Sequence, residues 1–422
     1  MGNAIYIVSA VRTPIGKFGG GLAEFSAADL GVIAVRAALE RAFGQAPAER
    51  KPGEHSEWTP ESLREEKSGQ TGVPVPRVDE LIFGNARPAG TGPNVARQIA
   101  WRAGLPEATP AFSVNMACAS GLRAILLAAE RIRLGESGIA VAGGTESMSR
   151  VPYLVEARWG LRMGHQPLVD GMYRDGFLCP ISQMIMGETA EPFAEMYSIS
   201  REEQDRYALE SHRRAAQAWS ECRFKNEVVP VERRDKKSNV VRVERDEHFR
   251  ADATLAGMAK LPPVFSKTGT ITAGNSSGIT DAAAALVLVS EKRLSELRLT
   301  PLVRIVDATI AAVPPHVMGI GPVPAVRRLA ERTGWKVSDY DAVELNEAFA
   351  AQVLACDREL GFDRARLNPN GGAIALGHPI GCTGARIVTT LAHELRRSGG
   401  RKGLATLCVS GGMGVALAVE AA

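Results

Sequence analysis

The chain has no Cys-x-x-Cys pair. Its six cysteines, Cys118, Cys179, Cys222, Cys356, Cys382 and Cys408, are scattered along 422 residues. They are too few for a disulfide scaffold and wrongly spaced for zinc, so no metal site is expected. Free thiols in a reducing cytoplasm fit best, and each cysteine has to be judged by its surroundings. An excess of charge is also missing: 50 Lys plus Arg face 47 Asp plus Glu, a formal net charge of +3 spread along the sequence. That balance argues against nucleic acid as a main partner. Long apolar runs are missing too. The run Ala282 to Val289 falls far short of the ~20 residues a membrane-spanning helix needs. The N-terminal MGNAIYIVSAVRTPIGK reads as a strand and turn without the successive regions of a secretory leader. Tyr6 stands where a myristoylation signal wants Ser or Thr.

What is present is 45% apolar residues and 43 glycines. At about 150 residues per domain, the length suggests two or three domains with a sizeable core. Strand-like AIYIVSAV, helix-like AADLGVIAVRAALERAFG, strand-like VDELIFGNA and helix-like NVARQIAWRAGL alternate, which predicts an α/β chain. Residues 44–76, rich in Pro and Gly and poor in large aliphatics, read as a surface insertion. The sequence also resembles itself. Cys118-Ala-Ser-Gly-Leu-Arg-Ala-Ile opens a helix that runs into GIAVAGG, and Gly381-Cys-Thr-Gly-Ala-Arg-Ile-Val opens one that runs into GLATLCVSGG. Any α/β unit gives a helix followed by a strand, but the matched helix starts favour a duplicated domain. Residues 145–265, with Arg/Glu-rich helices and the polar RRDKKSNVVRVERDE, read as a lobe inserted in the first half and covering a site.

Candidate chemistry gathers at predicted strand ends. Cys118 follows AFSVNMA and precedes a helix starting near Ser120. There a helix N-terminus would lower the thiol pKa from ~8.5, although a small buried hydrophobe is the plain alternative. His378, between Gly377 and Pro379 in NPNGGAIALGHPIG, reads as a histidine presented by a rigid loop. Cys408 ends GLATL and is followed by Val-Ser-Gly-Gly. Asn346 follows DAVEL, either as a helix N-cap or as an amide aimed into the same cleft. The turn Gly274 to Gly278 is expected to lead into a small-residue helix and to suit a polar, amide-bearing ligand. Two thiols, an imidazole and an amide point to acyl transfer through a thioester.

Taken together, SVNMACASGLRA, GGTESMS, TAGNSSG, VMGIGPVPA, NEAFAAQ, GGAIALGHPIG and CVSGGMG, in this order, closely resemble the thiolase family, whose members join or cleave acyl-CoA thioesters at a β-keto carbon. The resemblance runs from RTPIGKFGG to GGMGVALAVE, nearly the whole chain. It implies a thiolase fold of two duplicated βαβαβαββ-type halves in five α/β/α/β/α layers, with residues 1–298 as N-terminal and 299–422 as C-terminal domain. It also implies that Cys118 is the acyl-carrying nucleophile, that Cys408 is the acid/base moving the α-proton, and that His378 activates Cys118. An enolate hole would be formed by His378 and a water on Asn346, and a second oxyanion hole by the N–H groups of Cys118 and Ser410. Ser277, Gly278, Met318 and Arg223 would bind substrate or coenzyme A. No cofactor is implied beyond coenzyme A as substrate and product, and a homodimer or homotetramer in cytoplasmic fatty acid metabolism is expected.

Departures from the family pattern bear on substrate. Ser410-Gly-Gly replaces a common triple glycine, Ile185 stands where short-chain members carry histidine, and Tyr153 stands where several do. The stretch YLVEARWGLRMGH and the NEAF motif resemble the short-chain branch that makes or cleaves acetoacetyl-CoA. A broader degradative 3-ketoacyl-CoA thiolase is the enzymatic alternative. A decarboxylating ketoacyl synthase is disfavoured by Cys408. A non-catalytic acyl-CoA-binding subunit is disfavoured because all four catalytic residues are present.

Overall fold

The computed structural model describes residues 4–54, 75–235 and 237–422. Of the expected surface insertion over 44–76, residues 55–74 lie outside the described residues. Among the described residues ten strands form the main sheet, the two-residue Gly16–Lys17 against β5 and nine others: β1 (Ile5–Arg12), β2 (Glu80–Gly84), β3 (Ala111–Val114), β4 (Ile139–Ser147), β5 (Thr280–Ser290), β6 (Val303–Ala312), β7 (Ala342–Leu345), β8 (Lys402–Val409) and β9 (Met413–Ala421). The main helices are α1 (Ala27–Phe43), α2 (Val95–Arg102), α3 (Ser120–Arg133), α4 (Arg201–Ser220), α5 (Pro322–Thr333), α6 (Ala350–Leu360) and α7 (Ile380–Ser398).

Across the sheet the order is β7-β8-β9-β6-β1-β5-β4-β2-β3. The run β2-β4-β5-β1 is repeated by β7-β8-β9-β6. In each run the first pair is parallel and the next two are antiparallel. This is the duplication that the matched helix starts predicted. The halves join where β1 pairs with β6, Ile5 opposite Ile305.

Period-two patterning sorts the layers. On β5, Ala282, Ala284, Leu286 and Leu288 face a core shared with α3 and α7, while Ala283, Ala285, Val287 and Val289 face α1 and α2. On β9, Val415, Leu417 and Val419 join the α3/α7 core, and Ala416 and Ala418 face α5 and α6. Helices α3 and α7 therefore lie between the two sheet halves with the other helices outside, giving α/β/α/β/α. Strand β5 corrects one expectation, since the segment after Gly278 is not a helix. Alanine favours helix locally, but each side of this segment is buried against a different helical layer, and burial on both faces selects a strand.

Local signals set the helix ends. Ser26 and Asp29 form a capping box on α1, and Gly44 closes it at φ +79°. The inserted lobe runs between β4 and β5 and carries α4 and the hairpin Val231–Arg234/Val240–Val243. The first three residues of the expected lobe, 145–147, belong instead to β4. A buried ion cluster bolts the lobe to the sheet: Arg12 of β1 reaches Glu227 at 2.6 Å and Asp246 at 2.7 Å. Among the described residues no helix is long and apolar enough to cross a membrane.

The central helices touch backbone to backbone. A Cβ on Gly121 of α3 would lie 2.9 Å from Ala385 N and Gly381 O of α7, and one on Gly384 would overlap the Leu122 backbone. Replacing Gly384 by Ala should gain about 1 kcal/mol of helix propensity and lose more to overpacking, typically ~1–3 kcal/mol. A net loss of stability in urea denaturation is therefore expected, with a fall in activity; a more stable variant would show that the contact is loose.

Candidate active site

The starts of the two duplicated helices each carry one functional side chain. Cys118 stands two residues before α3, and His378 stands two residues before α7. Because the two helices pack side by side through glycine, their N-terminal ends share one cleft.

The turn that carries Cys118 is strained. Ala117 sits at φ +44°, a left-handed backbone uncommon for residues other than glycine. Ser120 holds the turn by accepting from the Met116 N–H at 2.9 Å and donating to Ala117 O at 2.7 Å. The half-buried Cys118 sulfur has its ionised form favoured by the backbone N–H of Ser410 and by the charge of Arg87. Even so, burial pushes its pKa up, not down as a helix N-terminus alone would. Desolvation outweighs these partners, so the resting group is a thiol and needs a base.

His378 is that base by position. Its N–H donates to Gly278 O at 2.9 Å, and Gly377 precedes it at φ +108°, where a Cβ would strike Thr280. His378 Nδ1 lies 2.7 Å from Thr383 Oγ1, whose hydroxyl donates to Pro379 O at 3.0 Å. The single hydroxyl hydrogen is thus committed, Nδ1 carries the imidazole proton, and Nε2 keeps its lone pair. Among the described residues the buried Nε2 has no hydrogen-bond partner. Burial, then the charges of Arg87 and Arg386, push the pKa down to about 3, which holds the ring neutral.

Cys408 closes β8 and is buried with Phe193, Ile271, Met318, Ala348 and Phe349. Burial raises its pKa well above the ordinary value, and proximity to Cys118 adds to the rise. Met318, expected near the acyl pocket, therefore shares an apolar cluster with the second thiol. Asn346 is not the helix N-cap; that place belongs to Phe349, ahead of α6. Its backbone N–H donates to Thr406 O at 3.0 Å, and among the described residues neither of its buried side-chain polar atoms has a partner. The reason is Glu347, which accepts from Tyr207, Ser211, Asn368 and the Ile374 N–H and pins residues 346–349 as an extended loop.

Ser277 N–H donates to Ala348 O, and the ring of His248 fills the space beside Gly278. This loop therefore braces both the Asn346 segment and His378. Arg223 hydrogen-bonds none of these groups; it pairs with Glu221 and reaches Pro369 O and Asn370 Oδ1. Two residues escaped the sequence reading. Glu146, inside the quoted GGTESMS, accepts from Asn85 Nδ2 and from the N–H groups of Ala86, Arg87 and Gly381. Arg87 brings a buried cation beside Cys118, and only an arginine among apolar neighbours in NARPAG hinted at it. Among the described residues no cluster of three or more His, Cys, Asp or Glu is arranged for a metal.

Comparisons with known proteins agree along the whole chain. The family model for the thiolase N-terminal domain matches residues 5–49 and 61–292, and that for the thiolase C-terminal domain matches 299–421. Acetyl-CoA acetyltransferases of Chromobacterium violaceum and Cupriavidus necator are each 46% identical over 417 residues, 99% of this chain and of theirs. Among solved structures, acetyl-CoA acetyltransferase of Bacillus anthracis superposes with a TM-score of 0.90 at 42% identity, covering 100% of this chain and 99% of that one. Human mitochondrial 3-ketoacyl-CoA thiolase gives 0.89 at 38% identity, with 100% and 99% covered.

Two pH dependences follow. With Cys118 raised and His378 depressed, alkylation of Cys118 by iodoacetamide should rise with a midpoint above the ~8.5 of a free cysteine and show no inflection near ~6.5; a rise centred below pH 7 would contradict this. His378 and His212 are depressed to about 3 and about 4 by burial. Their unfolded forms bind protons first, so their contribution to stability is complete above pH ~6.5 and is lost as pH falls toward the folded values. Melting temperature should fall from pH 6.5 to 4, and less steeply in His212→Asn.

Proposed function

The chain belongs to the thiolase family of acyltransferases, and on that premise we propose that it catalyses the reversible Claisen condensation of two acetyl-CoA to acetoacetyl-CoA and CoA, through an acetyl thioester on Cys118. The observation that carries the reading is a set of buried groups left without partners of their own, His378 Nε2 and the Asn346 amide, in the cleft of the two thiols. Most buried polar atoms of a folded chain are hydrogen-bonded to protein or ordered water, and two such orphans at the catalytic thiols suit a water and a substrate oxygen.

In the first half-reaction, His378 Nε2 takes the Cys118 proton as the sulfur attacks the acetyl thioester, and the C–S bond to CoA breaks with the CoA sulfur taking the proton of Cys408, which is left as a thiolate. The N–H groups of Ser410 and Cys118 hold the tetrahedral oxyanion. The side chain of Ser410 leaves this role intact, because the donor is backbone. In the second, Cys408 removes the α-proton of the incoming acetyl-CoA. A thiol whose pKa is raised by burial is a strong base once ionised, which suits a poorly acidic C–H. His378, now carrying a proton on Nε2, and a water on Asn346 stabilise the enolate, whose carbon attacks the acetyl thioester and expels the Cys118 sulfur, which takes its proton back from His378. Coenzyme A enters along the Ser277–Gly278 loop and the acyl group lies toward Met318.

The same premise covers assembly and setting. Tyr153, Trp159, Leu161, Met163 and Leu168 are exposed in one segment of the lobe, Trp159 at 92% and Met163 at 94%. Apolar patches of this kind mark protein–protein contacts, and we read this one as part of a homodimer or homotetramer interface. The six free cysteines suit a cytoplasmic enzyme of acyl-CoA and fatty acid metabolism.

Steady-state kinetics across 3-ketoacyl-CoA substrates of increasing length tests the assignment. Acetoacetyl-CoA should give the highest kcat/KM, and Cys118→Ala and Cys408→Ala should each lower it by at least ~10²-fold. A preference for long chains would move the chain to the degradative branch, and an active Cys408→Ala would remove the assigned role of that thiol. In light scattering, a Trp159→Asp/Met163→Asp variant should give a smaller assembly than the wild type, and an unchanged mass would place the interface elsewhere.

A further inference from the structure

One buried cation stands unused by this mechanism. Arg87 follows β2, is 5% exposed, and among the described residues its Nε and Nη2 are buried without a hydrogen-bond partner. Its charge acts on both Cys118 and His378. Glu146 and Asp175 favour its charge through space, but among the described residues neither forms an ion pair with it. Glu146 is occupied by backbone and amide N–H groups, and Asp175 acts on it only at a distance.

The guanidinium is nevertheless held in place. The Phe177 ring lies 5.3 Å from it, and Gly176 leaves the room it occupies, since any Cβ there would fall on the guanidinium nitrogens. Both residues belong to the π-type turn Tyr173–Phe177, a distortion common at functional sites. Phe177 and Cys118 in turn pack on one apolar cluster with Ala86, Met148, Met172 and Ile380. The surroundings of Cys118 are thus apolar walls beside a preorganised, unpaired fork of N–H donors. A hydrocarbon acyl group would leave that fork buried and empty, whereas a carboxylate would fill it.

We propose that Arg87 makes an anion subsite beside Cys118 that accepts an acyl group ending in a carboxylate, so that the enzyme also cleaves 3-ketoacyl-CoA thioesters of dicarboxylic acids. The proposal rests on the Cys118 acyl-enzyme above. In thiolysis the Cys118 sulfur attacks the 3-keto carbon and the C2–C3 bond breaks. The electron pair leaves as the enolate of acetyl-CoA, which takes its proton from Cys408, and the carboxylated acyl group stays on sulfur. The thiol of CoA, losing its proton to Cys408, then attacks this thioester. The product is the shortened dicarboxylic acyl-CoA, and Cys118 is restored with no oxidant or reductant required.

The test loads the wild-type enzyme with acetyl-CoA, butyryl-CoA or succinyl-CoA and follows the Cys118 adduct by mass spectrometry. In parallel, it compares iodoacetate with iodoacetamide at Cys118, with the exposed Cys222 as internal reference. Succinyl loading should exceed butyryl loading by roughly ten- to hundredfold, and Cys118 should favour iodoacetate relative to Cys222. Both preferences should collapse in Arg87→Leu and partly survive in Arg87→Lys. Equal or faster butyryl loading overturns the proposal, as does acetyl loading with neither four-carbon group accepted. Should Arg87→Leu fail to fold, Arg87→Lys and the wild-type alkylation ratio decide. Should no thioester load, acetyl included, the acyl-enzyme reading itself fails, and the alkylation ratio still reports whether the anion subsite exists.

Discussion

Two helices meeting through glycine in the middle of the molecule set the positions of everything catalytic. Gly121 and Gly384 let α3 and α7 approach until backbone touches backbone, and Gly84, Gly144 and Gly381 extend the same contact into the strands on the α3 side. Each helix begins two residues after a functional side chain, so the approach of the helices is also the approach of Cys118 to His378. Side chains at these positions would separate the two halves by their own width, and a general base is useful only within hydrogen-bond reach of its proton. Many of the 43 glycines in the composition have their explanation in this contact.

Burial sets the electrostatics, and it pushes the two kinds of group in opposite directions. Thiols lose more by ionising in a dry cleft, so Cys118 and Cys408 rise; an imidazole loses more by charging, so His378 falls. The two thiols and the imidazole therefore rest neutral beside the buried Arg87 cation, and charge develops on them when a thioester arrives. The carboxylates that shape the cleft are kept from its chemistry by saturation with N–H and O–H donors. Glu146 ties the residues after β2 to the first turn of α7, and Glu347 ties the lobe to the Asn346 loop.

Much of this was legible in the residues. The repeated small-x-[Ser/Thr]-Gly-x-Arg pattern foretold the duplication, and His378 amid glycines foretold a presented side chain. What misled were local rules that the tertiary setting overrode. TDAAAALVLVS has helix-forming composition, yet lies between two helical layers and is a strand. Asn346 has N-cap chemistry, yet Glu347 holds its loop extended and delays the helix to Ala350. A helix N-terminus lowers a thiol pKa in water, but the cleft around Cys118 is not water. Arg87 and Glu146 were missed because one arginine or glutamate in a sequence says nothing of its burial.

The central claim is a division of labour between two thiols in one cleft: Cys118 carries the acyl group and Cys408 moves the proton. Exchange of solvent deuterium into the methyl group of acetyl-CoA, measured by NMR in Cys408→Ala beside acetylation of Cys118, separates the two. The account predicts acetylated Cys118 with no methyl exchange above the uncatalysed rate. Exchange at the wild-type rate in that variant, or loss of Cys118 acetylation along with it, would contradict the account.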